Sequence, residues 1–190
     1  KDKEGKEGIM MPMLRESNYT AEDYWNLPEG QRAELINGQL IYMSAPSLKH
    51  QRMVHRLSYE IENYIRSKNG DCEVIPAPFA VNLNANDKTY VEPDISVVCD
   101  KKKLAERECK GAPDFIVEVV SPSSRKHDYS VKNALYSEAG VREYWIVDPE
   151  KERTTVYHYE NDAAPTIIPF TQSITVGIYG DLDITISELI

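Results

Sequence analysis

The segment Phe115-Ile116-Val117-Glu118-Val119-Val120 admits few folds. Apolar side chains fill both alternating sets of positions, so a strand here must be covered on both faces. The run Val91-Glu92-Pro93-Asp94-Ile95-Ser96-Val97-Val98 has the same character. Such strands need layers packed on each side of a sheet, which predicts an α/β or α+β domain. Glu118 and Asp94 stand out against this background. A carboxylate planted in a doubly covered strand is unfavourable unless a cation or hydrogen bonds compensate it. Alternation puts Glu118 on the side of Ile116 and Val120, opposite Phe115, Val117 and Val119.

The rest of the chain builds a mixed sheet around these strands. Thr20-Ala21-Glu22-Asp23 is a capping-type start for a short helix that stops near Leu27-Pro28. Asn37-Gly38 between two apolar runs predicts a type I′ hairpin. From residue 50 to about residue 68, Val54, Leu57, Ile61, Tyr64 and Ile65 recur at helical spacing, and Asn69-Gly70 ends the run. Residues 72–83 read as one edge or bulged strand interrupted by Pro76 and Pro78. The charged stretch 100–110 reads as a surface loop or short helix. A helix over about 128–139 between the Glu118 strand and Arg142-Glu143-Tyr144-Trp145-Ile146-Val147 makes a βαβ unit. Further strands are expected at 154–159 and near 166–170 and 173–178. Residues 1–16 read as a mobile tail and 17–190 as a single domain.

Composition narrows the function. No apolar run reaches the roughly 18 residues of a membrane span, and no signal-peptide pattern opens the chain, so a cytoplasmic protein is expected. Cys72, Cys99 and Cys109 are odd in number and form no C-x-x-C, which points to reduced thiols. Gly-x-Gly-x-x-Gly and Walker sequences are absent, arguing against a dinucleotide enzyme or a P-loop NTPase. The net charge of −9, from 31 acidic and 22 basic residues, counts against a non-specific nucleic-acid binder. It leaves room for a nuclease, because a bound divalent cation and a local basic groove can offset the global sign.

Two strand carboxylates and a lysine form the chemistry-bearing set. Hard oxygen ligands suit Mg²⁺, and a cation near the attacking water or the phosphate stabilises phosphodiester hydrolysis. Asp94 and Glu118 supply the ligands if their strands are neighbours. Lys132, four residues before Tyr136, can flank the buried face of its helix and point back toward the strand end. Taken singly, each acid also reads as a strand-end carboxylate or ion-pair partner, and Lys132 as a solvated helix lysine. Glu34 by itself reads as an ordinary exposed strand residue. His50 can bind phosphate, orient a carboxylate or cap the helix. No pair of histidines has zinc spacing, and Asp181 and Asp183 read as solvated turn residues.

In their order along the chain, several blocks resemble the Uma-two family of restriction endonucleases, within the PD-(D/E)XK nuclease superfamily. They are Glu34-Leu35-Ile36-Asn37-Gly38, Met43-Ser44-Ala45-Pro46-Ser47 with His50-Gln51, and Glu92-Pro93-Asp94-Ile95-Ser96-Val97-Val98. Pro113-Asp114-Phe115-Ile116-Val117-Glu118-Val119-Val120-Ser121-Pro122-Ser123, the run from Lys132 to Tyr136, and Ala139-Gly140-Val141-Arg142-Glu143-Tyr144-Trp145-Ile146-Val147-Asp148-Pro149 complete the series. The resemblance implies a restriction-endonuclease-like core: a mixed central sheet flanked by helices, with an N-terminal β-hairpin and C-terminal strands. It implies catalytic roles for Glu34, Asp94, Glu118 and Lys132, and Mg²⁺ or Mn²⁺ held by Asp94, Glu118, Glu34 and the Val119 carbonyl. His50, Gln51 and Ser121 become supporting or substrate-binding residues. The superfamily's usual lysine, two residues after the glutamate, is replaced by Val120, and Lys132 on the next helix takes its place. DNA as substrate and a homodimer are implied as well. A binding or assembly module on the same fold, and hydrolysis of a non-nucleic phosphoester, share these residues.

Overall fold

The computed structural model describes residues 18–161 and 163–190, so the expected tail at 1–16 lies outside the described residues. The elements run α1 (Ala21–Trp25), β1 (Ala33–Ile36), β2 (Gln39–Tyr42), α2 (Leu48–Ser67), β3 (Glu73–Pro76), β4 (Ala80–Asn82), β5 (Tyr90–Val91) and β6 (Ile95–Val98). After these come β7 (Glu108–Lys110), β8 (Phe115–Val119), a π-helical segment His127–Lys132 continuing as α3 (Asn133–Ala139), and β9 (Glu143–Asp148). The chain closes with β10 (Arg153–His158), β11 (Thr166–Pro169), β12 (Ser173–Thr175) and β13 (Asp183–Thr185).

A six-stranded mixed sheet in the order β11-β10-β9-β8-β6-β3 is the centre of the molecule. β8 and β9 are parallel, with the π/α3 segment as their crossover. One face of this sheet carries Phe115, Val117, Val119, Trp145 and Val147, packed against Met53, Val54, Leu57, Ile61 and Ile65 of α2. The C-terminal hairpin β12–β13 adds Ile174 and Ile184 to that layer. The other face carries Ile116, Val120, Tyr144 and Ile146 against Leu135 and Tyr136 of α3 and against Ile36, Val81 and Val91. The last three belong to a five-stranded sheet, β2-β1-β5-β4-β7. Double coverage of β8 and β9 follows from their uninterrupted apolar sequence.

Local signals explain several elements directly. Thr20 N–H donates to Asp23 Oδ2 at 2.8 Å, starting α1. Asn37 (φ 50°) and Gly38 (φ 78°) both occupy the left-handed region that a type I′ turn between β1 and β2 requires. The Ser47 side chain accepts the His50 N–H and caps α2.

Three expectations need correction. Residues 72–83 are two strands in different sheets, β3 on an edge of the six-stranded sheet and β4 inside the five-stranded one. The prolines at 76 and 78 lack the N–H that a continuous inner strand needs. Residues 91–98 likewise change sheets: β5 ends at Val91, β6 begins at Ile95, and Glu92-Pro93-Asp94 is the crossing. Finally, Cys72 and Cys99 form a disulfide, leaving Cys109 as the free, buried thiol. They flank the antiparallel β3–β6 pair, where Glu73 faces Val98, and only that register brings them together. The 100–110 stretch contributes a short 3₁₀ turn and β7. The strand β13 was not expected, and Asp183 lies in it.

Asp148, fully buried at the end of β9, anchors the β9–β10 connection. Its carboxylate accepts from Arg125, from Tyr129 Oη at 3.4 Å and from the Glu150 and Lys151 amides at 3.2 Å. Burial opposes its charge, but Arg125 and those amides outweigh it and hold the carboxyl below the usual carboxylate range. With the folded pKa depressed, the unfolded chain takes up its proton first as pH falls. The stabilisation is therefore complete at neutral pH and fades from about pH 3.9 downward. Asp148→Asn should lose about 2–3 kcal/mol at pH 7. Urea titrations should show the gap to wild type narrowing at about pH 3.

Candidate active site

Strand register assembles the site. Ile95 pairs with Val117 and Ser96 with Ile116, so the residue before β6, Asp94, lies opposite Glu118. Asp94 N–H donates to Glu118 Oε2 at 3.3 Å, and Asp94 Oδ2 accepts the Val119 N–H at 2.8 Å. Glu118 shares the Ile116/Val120 face, which looks toward α3 and the five-stranded sheet. In β1, Leu35 packs into a separate cluster with Tyr24 and Tyr90, which leaves Glu34 on the same side as Ile36. Glu34 therefore faces Glu118 across the two sheets. Read alone it was an exposed strand residue; in the structure it is 4% exposed.

Lys132 fills the space between them. Its Nζ lies 2.9 Å from Glu34 Oε1, 2.9 Å from Glu118 Oε1 and 3.8 Å from Asp128 Oδ1. Glu34 Oε1 also accepts the Glu92 N–H at 3.0 Å. Tyr136 Oη donates to Glu118 Oε1 at 2.7 Å. The π-helical winding of His127–Lys132 puts Asp128 and Lys132 on one inner face, continued by Tyr136 in α3; all three are buried. Sequence reading missed Asp128 and Tyr136. The only available signal was their spacing, four residues on either side of Lys132.

Burial pushes the Glu118 carboxyl well up, and Lys132 pulls it back. Burial would depress Lys132, but Glu118, Glu34 and Asp128 outweigh it and hold the ammonium well above its ordinary range. Two carboxylate oxygens at 2.9 Å support the charged lysine. Tyr136 is raised by burial and by Glu118, so it acts as a hydrogen-bond donor.

His50 orients a carboxylate: its Nε2 is 3.0 Å from Asp94 Oδ2. Burial lowers its proton affinity, but Asp94 and the neighbouring Val119 carbonyl raise it further, with a net upward shift. Helix capping falls to Ser47. Gln51 is exposed on the cleft wall. Ser121 bonds within its own turn, to Ser123 and Ser124, and lines the same cleft. The cleft has a volume of about 620 Å³ and reaches Glu34, Asp94, Glu118, Asp128 and Lys132 from solvent.

Four carboxylates, from Glu34, Asp94, Glu118 and Asp128, face one ammonium and one imidazole. That surplus of negative charge at the base of an open cleft fits a hard divalent cation. Among the described residues, no group of three or more His, Cys, Asp or Glu is gathered as a ligand cage. Mg²⁺, which keeps several waters and takes one or two carboxylates, needs no such cage. Asp94 and Glu118 are the pair that would hold it.

Residues 21–184 match the Uma2 family, described as "Putative restriction endonuclease". The chain belongs to the Uma2 family. Two uncharacterized proteins of Synechocystis sp. are similar to it. One, slr1290, is 28% identical over 155 residues, covering 80% of each chain. The other, sll1609, is 25% identical over 156 residues, covering 80% of this chain and 85% of its own. The crystal structure described as "a putative nuclease belonging to DUF820 from Anabaena variabilis" superposes with a TM-score of 0.73 at 20% identity, over 90% of this chain and 96% of the other. The fold is thus restriction-endonuclease-like, and Uma2 membership supports a nuclease. No helix among the described residues is long and apolar enough to cross a membrane.

Proposed function

We propose that this Uma2 protein is an endonuclease that uses Mg²⁺ or Mn²⁺ to hydrolyse phosphodiester bonds in DNA. The observation that carries the reading is the convergence of Glu118 and Glu34 on Lys132, with Asp94 joined to Glu118 beside them, at the base of one cleft. Asp94 and Glu118 would hold the cation, with the Val119 carbonyl and Glu34 beside them. The cation, when bound, supplies Lewis-acid polarisation of the phosphate and a water of lowered pKa. Lys132 would stabilise the charge developing on the phosphate or the attacking water. His50 fixes Asp94 through Oδ2, and Tyr136 fixes Glu118 through Oε1. The missing lysine at Val120 is met by an amine that reaches the same carboxylate from the following helix. Lys132 pointing inward favours this reading over a binding module, for which an outward lysine would have been the better sign.

Nucleic acid carries one charge per phosphate, so the overall −9 has to be offset locally. The cation and cleft-lining groups such as Lys49 would do this. A homodimer belongs to the same reading. The test is cleavage of duplex DNA, single-stranded DNA and RNA by purified protein with Mn²⁺, beside Asp94→Ala. DNA should be cut by wild type alone; equal cleavage by Asp94→Ala would trace the activity to a contaminant and remove this assignment.

A further inference from the structure

Asp128 has no place in the roles above, yet it is 1% exposed and lines the cleft. Its Oδ1 is buried without a hydrogen-bond partner, 3.8 Å from the Lys132 ammonium. A buried carboxylate oxygen left in that state is unfavourable unless it gains a partner at some stage of function. The surrounding contacts show which stage. Lys132 is committed to Glu34 and Glu118, and Glu118 Oε1 also receives the Tyr136 hydroxyl. Were Glu118 to share its carboxylate with a divalent cation held beside Asp94, Lys132 would lose part of that contact and be repelled by like charge. The open acceptor within reach is Asp128 Oδ1, on the same face and one turn earlier in the π-helical segment.

Resting on the metal-dependent reading, we propose that Asp128 is a positioning residue that takes over the Lys132 ammonium when a divalent cation occupies Glu118. The lysine then passes from a ligand-neutralising contact to a held position facing the cleft, with its charge kept. Asp128 does not touch the substrate or the cation in this role.

A double-mutant cycle on Mn²⁺ binding, read by titration calorimetry, separates this from direct ligation or a general charge effect. If Asp128 acts through Lys132, Asp128→Asn weakens Mn²⁺ binding about tenfold in the wild-type background, the scale of one hydrogen bond to a charged group. In Lys132→Met it changes binding less than about twofold. An equal loss in both backgrounds overturns the proposal. Should Lys132→Met fail to fold, ¹⁵N NMR of the lysine ammonium decides the matter. With Mg²⁺ added, the protected Lys132 signal should persist in wild type and vanish by solvent exchange in Asp128→Asn. The same behaviour in both proteins overturns the proposal. Wild-type protein that binds neither Mn²⁺ nor Mg²⁺ would remove the metal reading and this inference together, whereas binding without coupling removes this inference alone.

Discussion

Lys132→Met is expected to destabilise the protein by about 3–5 kcal/mol at pH 8, the scale of breaking a buried ion pair from one side. Lys132 is 6% exposed, and its ammonium compensates Glu34 and Glu118 at 2.9 Å each. Methionine fills much of the same volume and leaves those acids facing one another. The loss should depend on pH in a defined direction. Burial already pushes the carboxyls of Glu118 and Asp128 upward, and Lys132 is the principal group pulling them down. Without it, both rise further above their unfolded values. The folded variant then binds protons that the unfolded chain does not, so its stability falls as pH rises through the folded pKa. Thermal or urea unfolding at about pH 5.5 and pH 8 should therefore show a smaller deficit at the lower pH. A deficit equal at both would mean that loss of packing outweighs the charge cluster. Cleavage should disappear at either pH, because no second amine contacts Glu118 among the described residues.

Glu118→Gln should reduce Mn²⁺-supported cleavage by about a thousandfold, equivalent to about 4 kcal/mol of barrier. The substitution keeps the shape of the side chain and removes one unit of charge from the proposed cation site. It also disturbs the hydrogen-bond order. Glu118 accepts at both oxygens, from Lys132 and Tyr136 on Oε1 and from the Asp94 amide on Oε2. An amide must present its NH₂ to one of these donors. Stability should fall by about 1–3 kcal/mol, because one buried donor loses its acceptor, while Lys132 keeps Glu34 as its counter-charge. A variant that is folded, as shown by a single cooperative melting transition, and inactive, as shown by gel-based cleavage, is the expected result. Full activity in Glu118→Gln would place the chemistry elsewhere.

How much of this was visible beforehand differs by residue. The carboxylates of Asp94 and Glu118 were conspicuous because their strands are otherwise apolar. Helical spacing allowed Lys132 an inward path, although taken alone it also read as a solvated helix lysine. Glu34 was not legible as a buried group, because β1 shows two apolar neighbours but gives no sign of what covers its second face. Asp128 and Tyr136 were missed for a related reason. A carboxylate and a tyrosine on a helix read as surface and core by default, and their common contact with Lys132 and Glu118 depends on the π-helical winding. The disulfide was missed because Cys72 and Cys99 are 27 residues apart and become neighbours only through the β3–β6 register.

Local chemistry, then, was enough to determine several of the elements. The Asn37-Gly38 turn, the Ser47-capped helix and the doubly apolar β8 and β9 each depend on interactions within a few residues, so the chain spells them out. What the tertiary structure alone decided is how the two sheets share the strands around Pro78 and Pro93, and which side chains meet between them. Those outcomes turn on long-range register and on desolvation between layers. A carboxylate such as Glu34 or Glu118 becomes a site only when a second layer removes water from it and leaves Lys132 as its compensating charge.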